Sequence, residues 1–273
     1  NATGFTLNGK GYLCGGGQFY MGTGGVNSTD LWEYDPPTGT WTKRSPIPGP
    51  GVPDAVAFVL GGYAYVVVGN TTWRYDQAGD QWVQKASLPT VARRLGSGFA
   101  INGKGYVGLG YDNVTGALQN DWWEYDPVAD QWRAKKKFPG TKVFAAPGFA
   151  VGGKGYIVSG KHSAQTFPTA VWQYNPVADS WTQKTDFPGL GRSFAVGVTA
   201  TIDGVDVGLV AGGEPGTQLI PVDKDAWEYF PAGDTWERLS DMPGYGHTQA
   251  AGFVINRSFF IANVSVVVLN WSK

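Results

Sequence analysis

Arg93, Arg192 and His247 each lie four residues beyond a proline, namely Pro89, Pro188 and Pro243. Lys142 and Arg94 sit one position to either side of that phase. A second group, Tyr111, Lys161, His162 and Glu214, falls on loops that vary between otherwise similar stretches. A guanidinium holds a carboxylate through two parallel hydrogen bonds and an ammonium adds a compact charge, so this set fits a carboxylate or an acidic sugar. The competing role is internal, with the arginines hydrogen-bonding to neighbouring carbonyls. Metal chemistry is poorly provided for. Cys14 is the single cysteine, it lies in the strand-like GYLCGGG, and neither His162 nor His247 has a ligand partner at short spacing. No cofactor is expected. Each glycine cluster leads into a strand rather than a helix, which removes a phosphate-cradling loop, and there is no Gly-x-Ser-x-Gly elbow. Asp35, Asp76 and Asp126 recur before a turn and read as turn caps rather than calcium ligands.

The elements that must position these side chains are repeated. Five tryptophan pairs share one spacing: Trp32 and Trp41, Trp73 and Trp82, Trp123 and Trp132, Trp172 and Trp181, Trp227 and Trp236. Their first members are 41, 50, 49 and 55 residues apart, periods found in solenoids and propellers. A proline follows each second tryptophan at a fixed distance (Pro48, Pro89, Pro139, Pro188, Pro243), and an apolar anchor follows each proline (Phe58, Phe99, Phe149, Val198, Phe253). Between anchors the apolar residues alternate and glycines break the runs, as in GFAINGKGYVGLG, so two short strands joined by a tight turn are expected. A third strand carries Trp123 and Tyr125, Asp126-Pro127 opens a turn, and a fourth strand begins at Trp132. Each repeat is then a four-stranded meander, and such sheets bury their faces by packing radially. The paired indoles are expected between neighbouring sheets, Trp122 outside the scheme as a surface contact, and Trp271 at a sixth first-tryptophan position.

These features resemble the kelch family of β-propellers over nearly the whole chain. The resemblance rests on the glycine-rich second strands (GYLCGGG, GLVAGG) and the spacing from Tyr125 to Trp132 and its equivalents; the stretch from NGKGYVGLGYDN to NDWWEYDPVADQWRAKKKFPG looks like secreted kelch-repeat proteins of Bacteroidetes-type bacteria. It implies an all-β, six-bladed kelch β-propeller in one domain, residues 1–273, with five complete four-stranded repeats (approximately 1–50, 51–90, 91–140, 141–190 and 191–244) and an incomplete sixth blade (245–273). The missing strand implies either a fragment or a three-stranded, open last blade; an open edge would accept a strand from a partner. Because blade packing uses the recurring residues and leaves no compelling catalytic constellation, a non-catalytic binding or structural module of a larger secreted or cell-surface assembly, recognising a protein or a glycan, is expected. The alternative is a carbohydrate-active enzyme similar to sialic acid mutarotases, using Arg93, Arg192, His247 and Glu214; a galactose oxidase-like copper site built on Cys14, His162 and His247 is less favoured.

Composition agrees with a turn-rich globular chain: 273 residues hold 41 glycines, 17 prolines and 12 tryptophans. With 21 Lys and Arg against 22 Asp and Glu, no net field favours nucleic acid. The basic run Arg133, Lys135, Lys136 and Lys137 reads as a solvated outer edge. No apolar run reaches the length of a membrane helix and no signal peptide is read at Asn1, so direct membrane insertion is not expected. Finally, seven of eleven asparagines open the motif Asn-x-Ser/Thr: Asn1, Asn27, Asn70, Asn113, Asn256, Asn263 and Asn270. Random placement of serine and threonine would give about one, and the excess points to a glycosylated extracellular protein.

Overall fold

The computed structural model describes residues 1–20, 24–51, 53–216, 223–243, 246–255, 257–262 and 266–270, and among these every regular element is a strand. Five antiparallel four-stranded sheets follow one another along the chain. Blade 1 is Ala2–Leu7, Lys10–Gly15, Leu31–Asp35 and Thr40–Arg44; blade 2 is Val56–Leu60, Tyr63–Val68, Thr71–Asp76 and Gln81–Lys85. Blade 3 is Ser97–Ile101, Lys104–Gly108, Trp122–Asp126 and Gln131–Lys135, and blade 4 is Gly148–Val151, Lys154–Val158, Val171–Asn175 and Ser180–Lys184. Blade 5 is Val196–Ile202, Val205–Ala211, Ala226–Phe230 and Thr235–Arg238. A three-stranded sheet, Ala251–Ile255, Ser258–Ala262 and Val266–Asn270, fills the arc between blades 5 and 1. Five blades rather than six are therefore complete among the described residues. The architecture is a β-propeller.

The apolar core is divided among the junctions between sheets, and one recurring fit builds it. At four junctions the aromatic anchor of an inner strand enters a gap left by glycine on the second strand of the next blade, and at the junction of blades 1 and 2 the corresponding residue is Ala64. A Cβ at Gly105 would overlap the ring of Phe58, one at Gly155 that of Phe99, one at Gly208 that of Phe149, and one at Gly11 that of Phe253. At the junction of blade 5 with the last sheet the sizes reverse, Phe259 standing in register with the glycines and Val198 with the aromatics. Close packing makes this exchange of volume obligatory. Gly208→Ala is expected to destabilise the fold by about 1–3 kcal/mol, and adding Phe149→Leu should return part of that loss in urea unfolding. Equal losses in the single and double variants would refute the fit.

The indole pairs divide their work. The second tryptophan of blades 2 to 5 donates its Nε1–H to the residue just beyond the outer strand of the preceding blade: Trp82 to Ser45 O and Trp132 to Ala86 O at 2.9 Å, Trp181 to Lys136 O at 2.9 Å, and Trp236 to Thr185 O at 3.3 Å. The N–H of that same residue is bound by an aspartate of the following blade, Asp80, Asp130, Asp179 or Asp234, at 2.9 to 3.1 Å. Each aspartate also accepts from a buried tyrosine five residues earlier, at 2.6 to 2.8 Å. The result is a two-point clamp between successive blades. In blade 1 the aspartate is replaced by Gly39, which keeps the left-handed turn (φ 68°) and has no side chain to reach back with. The sheet it faces has no fourth strand among the described residues.

Two sequence expectations are corrected here. Trp122 is no surface contact: it is 1% exposed and packs edge-on against Tyr174 and Trp181. The pleat turns it to the junction, at the position held by Leu31, Thr72, Val171 and Ala226 in the other blades, all buried. The half-exposed partner is the first tryptophan, 38% exposed at Trp32. The sixth first-tryptophan position belongs to Val267, not Trp271, because Ile261 pairs with Val267 as Val107 pairs with Trp123. Trp271 itself lies outside the described residues.

Candidate functional site

The inner strands converge on the axis, where only small groups fit. Three consecutive residues from each of the six, including Gly4, Ala57, Ser97, Pro147, Gly197 and Ala251, line a cavity of about 170 Å³. At one mouth the residues that enter the inner strands adopt the left-handed conformation without being glycine: Asp54 (φ 60°), Leu95 (52°), Ala145 (51°), Phe194 (58°) and Gln249 (57°). Such a residue costs about 1–2 kcal/mol. Backbone bonds between blades hold the rim in place, Ala145 N–H donating to Leu95 O and Phe194 N–H to Ala145 O, both at 2.9 Å.

Above this rim, in blades 3 to 5, the loop entering the blade pairs with the loop between its second and third strands. Arg94 stands opposite Tyr111, Phe144 bridges Lys161, and Ser193 stands opposite Glu214. Contacts between blades join these pairs into one arc. Arg94 donates to Asp54 of blade 2 at 2.8 Å, Tyr111 meets Phe144 of blade 4 edge-on at 5.6 Å, and the Lys161 ammonium lies 3.9 Å from Glu214 of blade 5. Lys161 also lies 5.2 Å from the ring centre of Phe167. The Asp54 carboxylate is anchored from its other side by Asn1 at 2.6 Å. The structure therefore brings Arg94, Tyr111, Lys161 and Glu214 together, adds Asp54, Phe144 and Phe167, and sets Lys142 and His162 side by side on the exposed flank, where a His162 ring nitrogen lies 2.8 Å from Lys142 O.

Arg93 and Arg192 do not belong to this face. Arg93, 3% exposed, forks onto Asp121 at 2.9 and 2.7 Å and donates to Leu109 O. Burial pushes the Asp121 carboxyl up, but the hydrogen bonds and charge of Arg93 outweigh it and hold the group below the usual carboxylate range. Arg192, fully buried, forks onto Asp225, reaches Asp223 at 3.2 Å and donates to Gly212 O and Leu190 O, each at 3.0 Å. Both guanidiniums therefore bind carboxylates and carbonyls inside the fold, with Nε of Arg93 buried and without a hydrogen-bond partner. Asp121 and Asp225 also accept the indole N–H of Trp123 and Trp227, both at 2.7 Å, so each arginine is part of the blade frame. His247 is 6% exposed, and burial pushes its imidazole below the ordinary range, toward the neutral form.

No cluster of three or more His, Cys, Asp or Glu able to hold a metal occurs among the described residues. Cys14 is fully buried, and burial pushes its thiol up to about 12, which leaves the thiolate unpopulated at neutral pH.

Fold and mouth together define a β-propeller with a polar and aromatic arc over its channel. No protein-family model and no curated protein matches the chain. Among solved structures, that of YjhT aligns with a TM-score of 0.77, covering 98% of this chain and 92% of that one at 15% identity. At that identity the likeness is one of fold.

Proposed function

We propose that this chain is a kelch-type propeller, six-bladed when the three-stranded sheet is counted, and that it works outside the cell or on its surface as a non-catalytic binding module of a larger assembly. Its ligand is an anionic glycan or an acidic protein segment seated on the mouth arc. One observation carries the reading: of the basic side chains expected to bind, Arg93 and Arg192 at the buried phase fork onto Asp121 and Asp225, whereas Arg94 remains 41% exposed and aimed by a nearly buried Asp54. Lys161, held only loosely by Glu214, and the rings of Tyr111 and Phe144 extend the same arc. A guanidinium with one carboxylate partner retains donors for a second, and flanking rings suit the apolar face of a sugar. The edge of Val266–Asn270, which has no fourth strand among the described residues, supplies a further proposed contact, for a strand of a partner.

The enzymatic alternative loses most of its set. Of Arg93, Arg192, His247 and Glu214, only Glu214 stands on the arc. The test is a panel of sialylated and uronic acid glycans with binding and turnover both measured. Arg94→Ala and Lys161→Ala are each expected to weaken binding about tenfold, the scale of one charged hydrogen bond, while Arg133→Ala on the exposed outer strand leaves it unchanged. Binding indifferent to Arg94 and Lys161 would refute the site, and turnover abolished by Arg94→Ala would make the protein an enzyme.

A further inference from the structure

The sequon excess acquires a spatial order in the fold. Asn27 ends the short strand Gly24–Asn27, Asn70 lies between Tyr63–Val68 and Thr71–Asp76, and Asn113 follows Tyr111–Asp112. All three are in the connection between second and third strands, in blades 1, 2 and 3 in succession, on the face that carries the mouth arc. Asn27 and Asn113 are exposed and Asn70 is half-exposed. Asn1 is different: its amide nitrogen is committed to Asp54 at 2.6 Å and its Oδ1 is buried. Asn256 and Asn263 lie outside the described residues, and Asn270 is described in its backbone alone. The corresponding connections of blades 4 and 5, residues 159–170 and 212–225, contain no sequon, and they are the ones that bear Lys161, His162, Phe167 and Glu214.

A second observation concerns solvent exposure. Val114, the middle residue of the Asn113 sequon, is 88% exposed on a loop built of polar bonds, where Asp112 accepts from the N–H groups of Val114 and Thr115.

We infer that the protein carries asparagine-linked glycans at Asn27, Asn70 and Asn113, and that these flank the mouth on the side of blades 1 to 3 while the arc from Arg94 through Lys161 to Glu214 stays open to a ligand. The donor is an oligosaccharide linked to a lipid pyrophosphate. In the transfer the asparagine nitrogen forms a bond to the anomeric carbon as the carbon–oxygen bond to phosphate breaks. The lipid pyrophosphate leaves with the electron pair, and the transferase base takes the amide proton. Asn1 stays unmodified in the folded protein because its nitrogen is bound to Asp54.

The experiment is intact-mass measurement of the protein from its native source, followed by peptide mapping after enzymatic deglycosylation in ¹⁸O water, which marks each released asparagine as labelled aspartate. The expected result is a mass above the 29.2 kDa of the polypeptide, with label at positions 27, 70 and 113 and none at position 1. Asn27→Gln, Asn70→Gln and Asn113→Gln, made singly, should each remove one glycan; a single variant that fails to accumulate leaves the labelled peptides of the natural protein as the readout. A mass equal to the bare polypeptide, or label confined to other asparagines, would overturn the inference. No ligand enters the measurement, so its outcome is separate from that of the binding experiment.

Discussion

Arg192→Ala is expected to lower the free energy of unfolding by about 3–5 kcal/mol, the range for removing one partner of a buried ion pair. The guanidinium is fully buried, forks onto Asp225, touches Asp223 at 3.2 Å and lies 4.8 Å from the ring centre of Phe187. Without it Asp225, itself 7% exposed, keeps a charge that neither water nor a cation compensates. The repeat supplies the rescue. Blade 4 builds the same place from Val143, buried in the core of its junction, and the half-buried Ala170, both apolar. Arg192→Val combined with Asp225→Ala should therefore recover at least about 2 kcal/mol relative to Arg192→Val alone, a coupling of the size seen between contacting residues. Urea midpoints at constant slope measure both variants. If Asp225→Ala instead adds its own loss to that of Arg192→Val, the buried pair is not what the arginine serves.

That exchange was present in the sequence, although single positions did not show it. Where the entering loop has arginine (Arg93, Arg192), the residue two before the first tryptophan is aspartate (Asp121, Asp225). Where the loop has valine (Val52, Val143), that residue is Thr71 or Ala170. Comparing repeats in pairs of positions would have assigned these arginines to the frame. The four-stranded order of each repeat was legible because the tryptophan and proline spacing is rigid and glycine breaks each run. The fate of Trp122 was not, because adjacency to Trp123 suggests the opposite face without saying that both faces of a blade are covered by neighbours. The arc was half legible: Arg94, Tyr111, Lys161 and Glu214 lie at loop phases the repeat defines, whereas Asp54 and Phe144 matter only through contacts between blades. Val267 could be placed only by pairing, since the last sheet lacks the tyrosine and aspartate that mark the phase elsewhere.

Asp130→Gly is expected to lower stability by about 2–3 kcal/mol at pH 7, combining one charged hydrogen bond with an orphaned buried hydroxyl. Glycine is the informative replacement, because Asp130 is left-handed (φ 52°) and Gly39 holds the same position in blade 1, so the turn survives and the clamp alone is removed. The fully buried Tyr125 loses its acceptor at 2.6 Å, Ala86 N–H loses its acceptor at 2.9 Å, and Lys85 loses its partner at 3.0 Å. Adding Tyr125→Phe should return the part of the loss due to the orphaned hydroxyl. The pH dependence has a definite sign. Burial raises the Asp130 carboxyl, but hydrogen bonds from Tyr125, the Ala86 amide and Lys85 outweigh it and leave the group below its ordinary value. A carboxyl depressed by folding stabilises fully above its unfolded pKa of about 3.9 and loses that contribution as pH falls through the folded value. Asp80 and Asp234 are lowered in the same way, by tyrosine and backbone hydrogen bonds that exceed the effect of burial. The difference in unfolding free energy between natural protein and Asp130→Gly should thus be constant from pH 7 to pH 5 and shrink below about pH 4. Urea unfolding at pH 7, 5, 3.5 and 2.5 measures it, and a difference that stays the same throughout would show that the ionised carboxylate is not what joins blade 3 to blade 2.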